Sequence, residues 1–400
     1  MQAAKKAFGS EGSAQKEGFC EHRIPEADPL SITKITLTNF RNYGSLRLSL
    51  NSAPVVLAGA NGSGKTNLLE SISLLVPGRG LRHSPLADLQ NRATDKPWAV
   101  AIELDTDAGS LRIGTGRDNA VNDSEGERRL VHIDGKPARG QALLAERIAM
   151  AWMTPDMDRL LADSSSVRRK FLDSLVCGFD PSHGSRVRVY EKAMRERMCL
   201  LREGRNDALW LSALENEMAQ AAVAIAAARR HMIDRLRRVI EDASDAFPRA
   251  DVSVHGTAED MLDNAPALPV EDALRAAFAR ARGEDASRGT TAIGAHKSDL
   301  CVMYYDKNCP ADLCSAGEQK MLMIALMLAH VRLLTEARRM APLFLLDDCA
   351  AHLDDYHRNC LFEEILSTGA QAWFTGTDRE TFALLKPFAQ IFDVKNGSVS

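Results

Sequence analysis

A lysine and a threonine close an unbroken run of small residues, Gly59-Ala60-Asn61-Gly62-Ser63-Gly64-Lys65-Thr66, which fits the spacing G-x-x-x-x-G-K-[ST]. Those residue types suit one kind of chemistry. Glycines let a chain wrap closely around phosphate and aim a row of backbone N–H groups at its oxygens. The lysine can reach the β- and γ-phosphates of a nucleoside triphosphate, and the threonine hydroxyl can hold Mg²⁺. Two carboxylates, Asp347 and Asp348, follow the apolar run Leu343-Phe344-Leu345-Leu346. Asp347 is the expected Mg²⁺ ligand, through water, because Mg²⁺ keeps part of its hydration shell. Asp348 is expected to orient or deprotonate an attacking water, a catalytic part shared with Lys65. An apolar run with two acids also fits an ordinary strand entering a turn; its pairing with Lys65 favours the phosphate reading. A third group, Ser315 and Gly317, lies in Cys314-Ser315-Ala316-Gly317-Glu318-Gln319-Lys320 at a predicted helix start. Ser315 and Glu318 read as a capping box, and the same N-terminus reads as a second anion-binding surface. One phosphate loop does not need another. The surplus is explained if two chains face each other, each offering Ser315 and Gly317 to the other's γ-phosphate.

Each of these groups needs an element to hold it. Pro54-Val55-Val56-Leu57-Ala58 predicts a buried strand before the loop, and Leu68, Leu69, Ile72 and Leu75 a helix after it. Residues 32–50 alternate as a hairpin or two adjacent strands, and 98–102 and 129–133 add short strands, with Asp134-Gly135 as a turn. From about Asp156 strand signals vanish until about residue 290. Leu211, Leu214, Met218, Ala222, Ile225, Met232, Leu236 and Ile240 recur in steps of three, four and seven, and Phe247-Pro248 stops the pattern. A helix over 208–246 would be roughly 58 Å long, expected to project as part of an antiparallel arm or to lie along one. Strands are then predicted at 300–303, 343–346, 372–374 and 390–392, with a long helix at 317–339. Strand and helix alternate at both ends of the chain. The expected class is α/β, a head built from residues 31–155 and 291–400 and interrupted by a helical insertion at 156–290. Residues 1–30 are polar and small and are expected to be a disordered extension.

Composition narrows the class. Four hundred residues, 45% of them hydrophobic, suit two or three folded units. No stretch of about 18 apolar residues occurs and no apolar core follows Lys5 and Lys6, so neither a membrane span nor a secretory signal is expected. The eight cysteines form no C-x-x-C pair, which offers no zinc or redox spacing and suits reduced thiols in a cytoplasmic protein. The net charge of −4 gives no general basic footprint, yet residues 181–240 carry 12 Lys/Arg against 7 Asp/Glu. That excess fits a solvated helix face as well as a nucleic-acid surface.

The combination of phosphate loop, S-x-G-E/Q signature, acidic strand end and the following Ala351-His352-Leu353-Asp354 resembles the ABC-type ATPase heads. Within that class the chain is similar, over residues 31 to 400, to the bacterial RecF family. The resemblance rests on Asn39-Phe40-Arg41-Asn42-Tyr43, on Gly78-Arg79-Gly80-Leu81-Arg82 and on Thr154-Pro155-Asp156 leading to Arg168-Arg169-Lys170-Phe171-Leu172-Asp173. Thr291-Ala292-Ile293-Gly294-Ala295-His296 and Thr375-Gly376-Thr377-Asp378 extend it. It implies ATP and Mg²⁺ as ligands, a weak DNA-stimulated ATPase, and ATP-driven homodimerisation on gapped or junction DNA. RecO- and RecR-like partners and assistance in loading RecA are implied with it. Arg79, Arg82, Arg195, Arg197 and Arg202 become candidates for DNA phosphate contacts, against surface ion pairing as the alternative. Some positions depart from the family pattern: Gly294-Ala295-His296-Lys297-Ser298-Asp299 stands for G-P-H-R-D-D, Glu318 for a common Gln, and no acid precedes Leu353. Three rival readings are a membrane-transporter nucleotide-binding subunit, an SMC-class repair ATPase, and a RecF-derived switch acting on protein partners without DNA. The 250 residues between Lys65 and Ser315 exceed the short helical region of a transporter subunit, and the arm is too short for an SMC coiled coil.

Overall fold

The computed structural model describes residues 30–117, 129–138, 140–204, 207–243 and 246–400. The chain opens with a hairpin, β1 (Ser31–Phe40) and β2 (Tyr43–Ser49), followed by β3 (Val55–Ala58), the glycine-rich loop and α1 (Lys65–Ser73). Four more strands, β4 (Ala99–Thr106), β5 (Gly109–Arg117), β6 (Arg129–Ile133) and β7 (Lys136–Pro137), join the hairpin in an antiparallel sheet of order β2-β1-β4-β5-β6-β7. Then come α2 (Ala142–Arg147), β8 (Met150–Met153) and three long helices, α3 (Ser165–Phe179), α4 (His183–Arg202) and α5 (Ala208–Glu241). After β9 (Ala250–His255), α6 (Thr257–Leu262) and α7 (Ala267–Arg288), the chain returns through β10 (Asp299–Tyr304) and β11 (Cys309–Pro310) to α8 (Ala316–Arg338). It ends with β12 (Leu343–Leu346), α9 (Asp355–Ser367), β13 (Ala372–Gly376), β14 (Gln390–Lys395) and β15 (Ser398–Val399).

The sheet that carries the site draws on both ends of the chain, in the order β15-β14-β3-β13-β12-β8. Its inner strands run parallel, and β3, β12 and β13 are buried at every residue. A sheet covered on both faces reads as continuous apolar runs, as these do. Side chains that alternate along each strand divide between two cores. Val56, Phe344, Leu346 and Phe374 face the core built on α8, while Val55, Leu57, Leu343, Leu345 and Trp373 face α1 and the antiparallel sheet. Leu30 is buried in that second core, so the folded part begins one residue inside the extension expected at 1–30; the rest of that extension lies outside the described residues.

The helical part differs from the sequence expectation in two ways. Helix α5 stops at Glu241 rather than 246, and at 34 residues it is about 51 Å long. Its first half, Leu211 to Ala226, packs in a separate core with α4, α6 and α7, but Met232, Ile233, Leu236 and Ile240 belong to the α8 core. Only part of the helix therefore leads away from the sheets. The second difference is β9, which pairs antiparallel with β10 inside the stretch where no strand was expected. Only Ala250 and Val252 of its six residues are buried, and Asp251 and His255 face water, so its apolar signal is too sparse to stand out.

Candidate functional site

Strand β3 delivers the glycine-rich loop to the C-terminal end of the parallel sheet, where sheets of this kind bind ligands. The loop is tied down from four sides. Gly59 N–H donates to Gly376 O at 3.1 Å and Gly397 N–H to Ser63 O at 3.1 Å. Asn42 Nδ2 donates to Ser63 O and the Tyr43 hydroxyl to Gly64 O, each at 3.0 Å. Gly64 adopts φ 120°, and a Cβ there would stand 2.6 Å from Asn42 Nδ2, so both backbone and packing require glycine. Gly64 also caps α1 without a side chain, which leaves the helix's first N–H groups for a ligand. Lys65 is 4% exposed, with its ammonium donating to the carbonyls of Gly59 at 2.6 Å and Ala60 at 3.1 Å.

The hydroxyl–carboxylate pair expected for Mg²⁺ is assembled. Thr66 Oγ1 donates to Asp347 Oδ1 at 2.9 Å, across 281 residues of chain. Thr375, at the end of β13, donates to the same oxygen at 2.8 Å and accepts from the backbone N–H of Asp348 at 2.9 Å. Burial raises the pKa of Asp347, with Asp348 adding to the rise and the Thr375 and Thr66 hydroxyls opposing it. A 5% exposed carboxylate held by two hydroxyls and short of a counter-charge is a hard oxygen set that fits Mg²⁺. Asp348 has φ 49°, an uncommon left-handed conformation that turns the chain sharply after β12. It lines a cleft with Asn61, Lys320, Ala351, His352 and Thr377, which leaves it facing space beside the loop.

Ser315 and Gly317 stand apart. No hydrogen bond joins Ser315 to Lys65, Thr66 or Asp347 among the described residues. Ser315 caps α8 in the expected capping box: its Oγ accepts from Glu318 N–H, and its own N–H and hydroxyl each reach Glu318 Oε2 at 2.8 Å. Lys307 pairs with Glu318, and that pair, followed by the Ser315 contacts, holds the carboxyl down to about 2. Ser315, Ala316 and Gly317 are exposed, Leu313 beside them is 74% exposed, and a Cβ on Gly317 would meet nothing within 4 Å. Behind the tip, buried Lys320 donates to Ala351 O at 2.8 Å and pairs with Asp158 at 3.2 Å, fastening the helix to the segment after Asp348.

The residues behind the family resemblance take distinct places. Arg41 forms a two-pronged pair with fully buried Glu70 of α1 at 2.8 and 2.7 Å, so Asn39 to Tyr43 brace the phosphate loop and its helix. Arg168 pairs with Asp299, Arg169 donates to Ser298 O, and Asp173 receives both Arg229 and His183, so that segment fixes α3 to the 291–299 loop and α5. In the same loop the Tyr190 hydroxyl meets His296 Nδ1 at 2.8 Å, and a Cβ on Gly294 would collide with that hydroxyl at 2.2 Å. Glu70, which the sequence reading did not name, braces the helix after the loop, while Thr375, Asn42 and Tyr43, known there only through the family resemblance, contact Asp347 and the loop directly.

Of the five arginines offered as phosphate contacts, Arg197 is corrected. It is 0% exposed and bonded to Glu215 at 2.9 Å, Asp285 at 2.7 Å and Phe278 O at 2.8 Å, so it cannot reach a ligand. It falls on the inner face of α4, and only the neighbouring helices show that. Arg79, Arg82, Arg195 and Arg202 are exposed. Arg195 lies 3.7 Å from Glu191, Arg82 bonds Asn67 at 3.0 Å, and Arg202 donates to Gly289 O. Partial burial, then the charges of Lys170 and Arg79, lower the pKa of His83, which places Lys170 of α3 near the loop after α1.

A parallel core sheet carrying the loop at Lys65 and the carboxylates at Asp347, an antiparallel sheet over α1, and an outward helix tip at Ser315 define an ATPase head of the ABC and SMC type. Residues 31–400 match the RecF/RecN/SMC N terminal domain family. A relative from Mesorhizobium japonicum, named DNA replication and repair protein RecF, is 45% identical over 370 residues, covering 92% of this chain and 97% of its own. The protein of the same name from Allorhizobium ampelinum is 43% identical over 376 residues, covering 94% and 100%. Among solved structures, the recombination mediator protein RecF-ATPrS in the RecFOR pathway superposes with a TM-score of 0.81 at 20% identity, covering 94% of this chain and 99% of that one. An SMC head bound to the C-winged helix domain of ScpA gives 0.53 at 16% identity, with 92% and 96% covered. This chain belongs to the RecF family. Among the described residues, no helix is long and apolar enough to cross a membrane.

Proposed function

We propose that this chain is an ATP-dependent DNA-binding protein of recombinational repair and replication-fork maintenance. It recognises gapped or junction DNA, works with RecO and RecR in loading RecA, and hydrolyses ATP weakly, with DNA as stimulant. The relatives' names support the repair setting, and the site supports the chemistry. The N–H groups of Gly59 to Thr66 and the Lys65 ammonium bind the phosphates. Thr66 and Asp347 would hold Mg²⁺, which when bound neutralises charge on the β- and γ-phosphates. Asp348, in its cleft beside the loop, orients the water that attacks the γ-phosphorus and accepts its proton. Ser315 and Gly317 of a second copy close over the γ-phosphate, so ATP is part of the dimer interface and its hydrolysis dissolves it. Arg79, Arg82, Arg195 and Arg202, joined by Lys170, are the candidate phosphate contacts for DNA.

The observation that carries the dimer reading is the contrast between two helix N-termini. That of α1 is braced from four sides, whereas that of α8 presents an exposed serine and a glycine whose missing side chain relieves nothing within its own chain. The net charge of −4 keeps open a switch that acts on protein partners without DNA. One experiment separates the two: light-scattering mass and a gel shift on gapped DNA, each with and without Mg-ATP. A doubled mass and a shift that both need Mg-ATP are expected. A doubled mass without a shift selects the protein-only switch, and a monomer under every condition sinks both.

A further inference from the structure

We propose that Cys309 and Cys314 are a thiol pair that a peroxide converts to a disulfide, disarming the tip of α8. The inference rests on the reading of Ser315 as a residue that serves a second copy. Both thiols donate to one acceptor, the carbonyl of Pro310, at 3.5 Å each. Sharing that acceptor keeps the two sulfurs within reach of each other by side-chain rotation. Both residues are half-buried and both thiols are free, so a small oxidant can reach them.

Their place in the chain gives the bond a consequence. Cys309 belongs to the two-residue strand β11, paired to the end of β10. Cys314 immediately precedes Ser315, and its carbonyl accepts from Gln319 Nε2 at 2.9 Å, inside the first turn of α8. A covalent tie from β11 to Cys314 therefore acts on the residue that sets the position of Ser315 and its bonds to Glu318. Lys307, two residues before Cys309, already grips Glu318, so the tip is bracketed by an ion pair and would be clamped by the disulfide.

The chemistry balances in two steps. The Cys309 thiolate attacks one peroxide oxygen; the S–O bond forms, the O–O bond breaks, and the departing hydroxide takes a proton to leave as water. Cys314 then displaces the sulfenic oxygen as a second water, forming the S–S bond. Two thiols are oxidised and one peroxide is reduced to two waters. Burial pushes the Cys314 thiol up to about 11, so it keeps its proton, leaves the first attack to Cys309, and passes that proton to the departing sulfenic oxygen in the second step.

The pair can be read in one peptide. Trypsin cutting after Lys307 and Lys320 releases Asn308 to Lys320 with both cysteines inside it. The full-length protein is treated with hydrogen peroxide, alkylated, digested and weighed, and a parallel sample is tested for mass with Mg-ATP by light scattering. The expected peptide has lost two hydrogens and resists alkylation until dithiothreitol restores it, and the ATP-dependent dimer is lost and regained in step. Cys309→Ser should dimerise and be indifferent to peroxide. Alkylatable thiols or sulfinic acids in that peptide, without the two-hydrogen loss, overturn the proposal. A disulfide that leaves dimerisation unchanged overturns the disarming. Should the reduced protein never dimerise, the reading of Ser315 fails, while the peptide mass still decides whether the bond forms.

Discussion

Replacing Arg197 distinguishes a structural arginine from a DNA-binding one. The Arg197→Met change keeps the side-chain stem but removes a guanidinium that is 0% exposed and shared by Glu215, Asp285 and the Phe278 carbonyl. Breaking a buried ion pair by removing one partner costs about 3–5 kcal/mol, because the remaining charge is left uncompensated. Two contacts soften the loss. Glu215 keeps Arg282, which bonds both its oxygens, and Asp285 keeps the Ala292 N–H at 2.9 Å. The expected cost is therefore at the lower end, about 3 kcal/mol, read from urea unfolding of the helical part. Affinity for DNA measured at several salt concentrations, below the unfolding range, should keep its slope in log K against log salt. Arg195→Ala is the contrasting control. Its side chain is 68% exposed and paired only within its own helix, so stability should hardly change. If it contacts a phosphate, the slope should shrink by about 0.9. A stable Arg197→Met protein with a reduced slope would refute the assignment.

Further predictions concern the site and the joint. Burial raises the Asp347 pKa above its ordinary 3.8, so ionising it costs the nucleotide-free fold stability, fully present below the unfolded value and lost as pH rises through the folded one. Asp347→Asn should therefore melt higher than the parent at neutral pH without Mg-ATP, while losing Mg²⁺-dependent hydrolysis; a lower melting point or retained turnover would count against the site. Gly64→Ala should abolish nucleotide binding in a titration with a fluorescent ATP analogue, since the loop would bear about 1–3 kcal/mol of backbone strain and a Cβ 2.6 Å from Asn42 Nδ2. Gly294→Ala should destabilise the joint between α4 and the 291–299 loop, raising hydrogen exchange there, because Tyr190 would have to give way; unchanged protection would show that the contact is not needed.

The elements that carry the candidate site were legible because they are written locally. The strand, the glycine-rich turn and the helix at 55–73 follow one another without interruption, and the buried run 343–346 ends at its two acids. What could not be read was held by distant partners. Thr375 enters from sequence only through the family resemblance, without a task, until β13 lies beside β12 and brings its hydroxyl 2.8 Å from Asp347. Asn42 and Tyr43 carry no mark of serving a loop some 21 residues later, which they reach by side-chain bonds to backbone. Arg197 and Arg195 are two positions apart on α4 and face opposite ways, a distinction only the packing of α5 and α7 makes. Strand β9 escaped because its exposed face is polar and its partner β10 lies more than forty residues on.

The most direct test of the account is a mixture of Lys65→Ala and Ser315→Arg chains. Each alone should lack ATP-dependent dimerisation and ATPase activity. Mixed in equal amounts, the ATP-dependent dimers that form contain one chain of each kind, because neither variant pairs with itself, and one of their two sites joins an intact phosphate loop to an intact Ser315 tip. The account predicts recovery of about half of the parent activity per dimer. No recovery from the mixture, or undiminished ATP-dependent dimers from either variant alone, would contradict it.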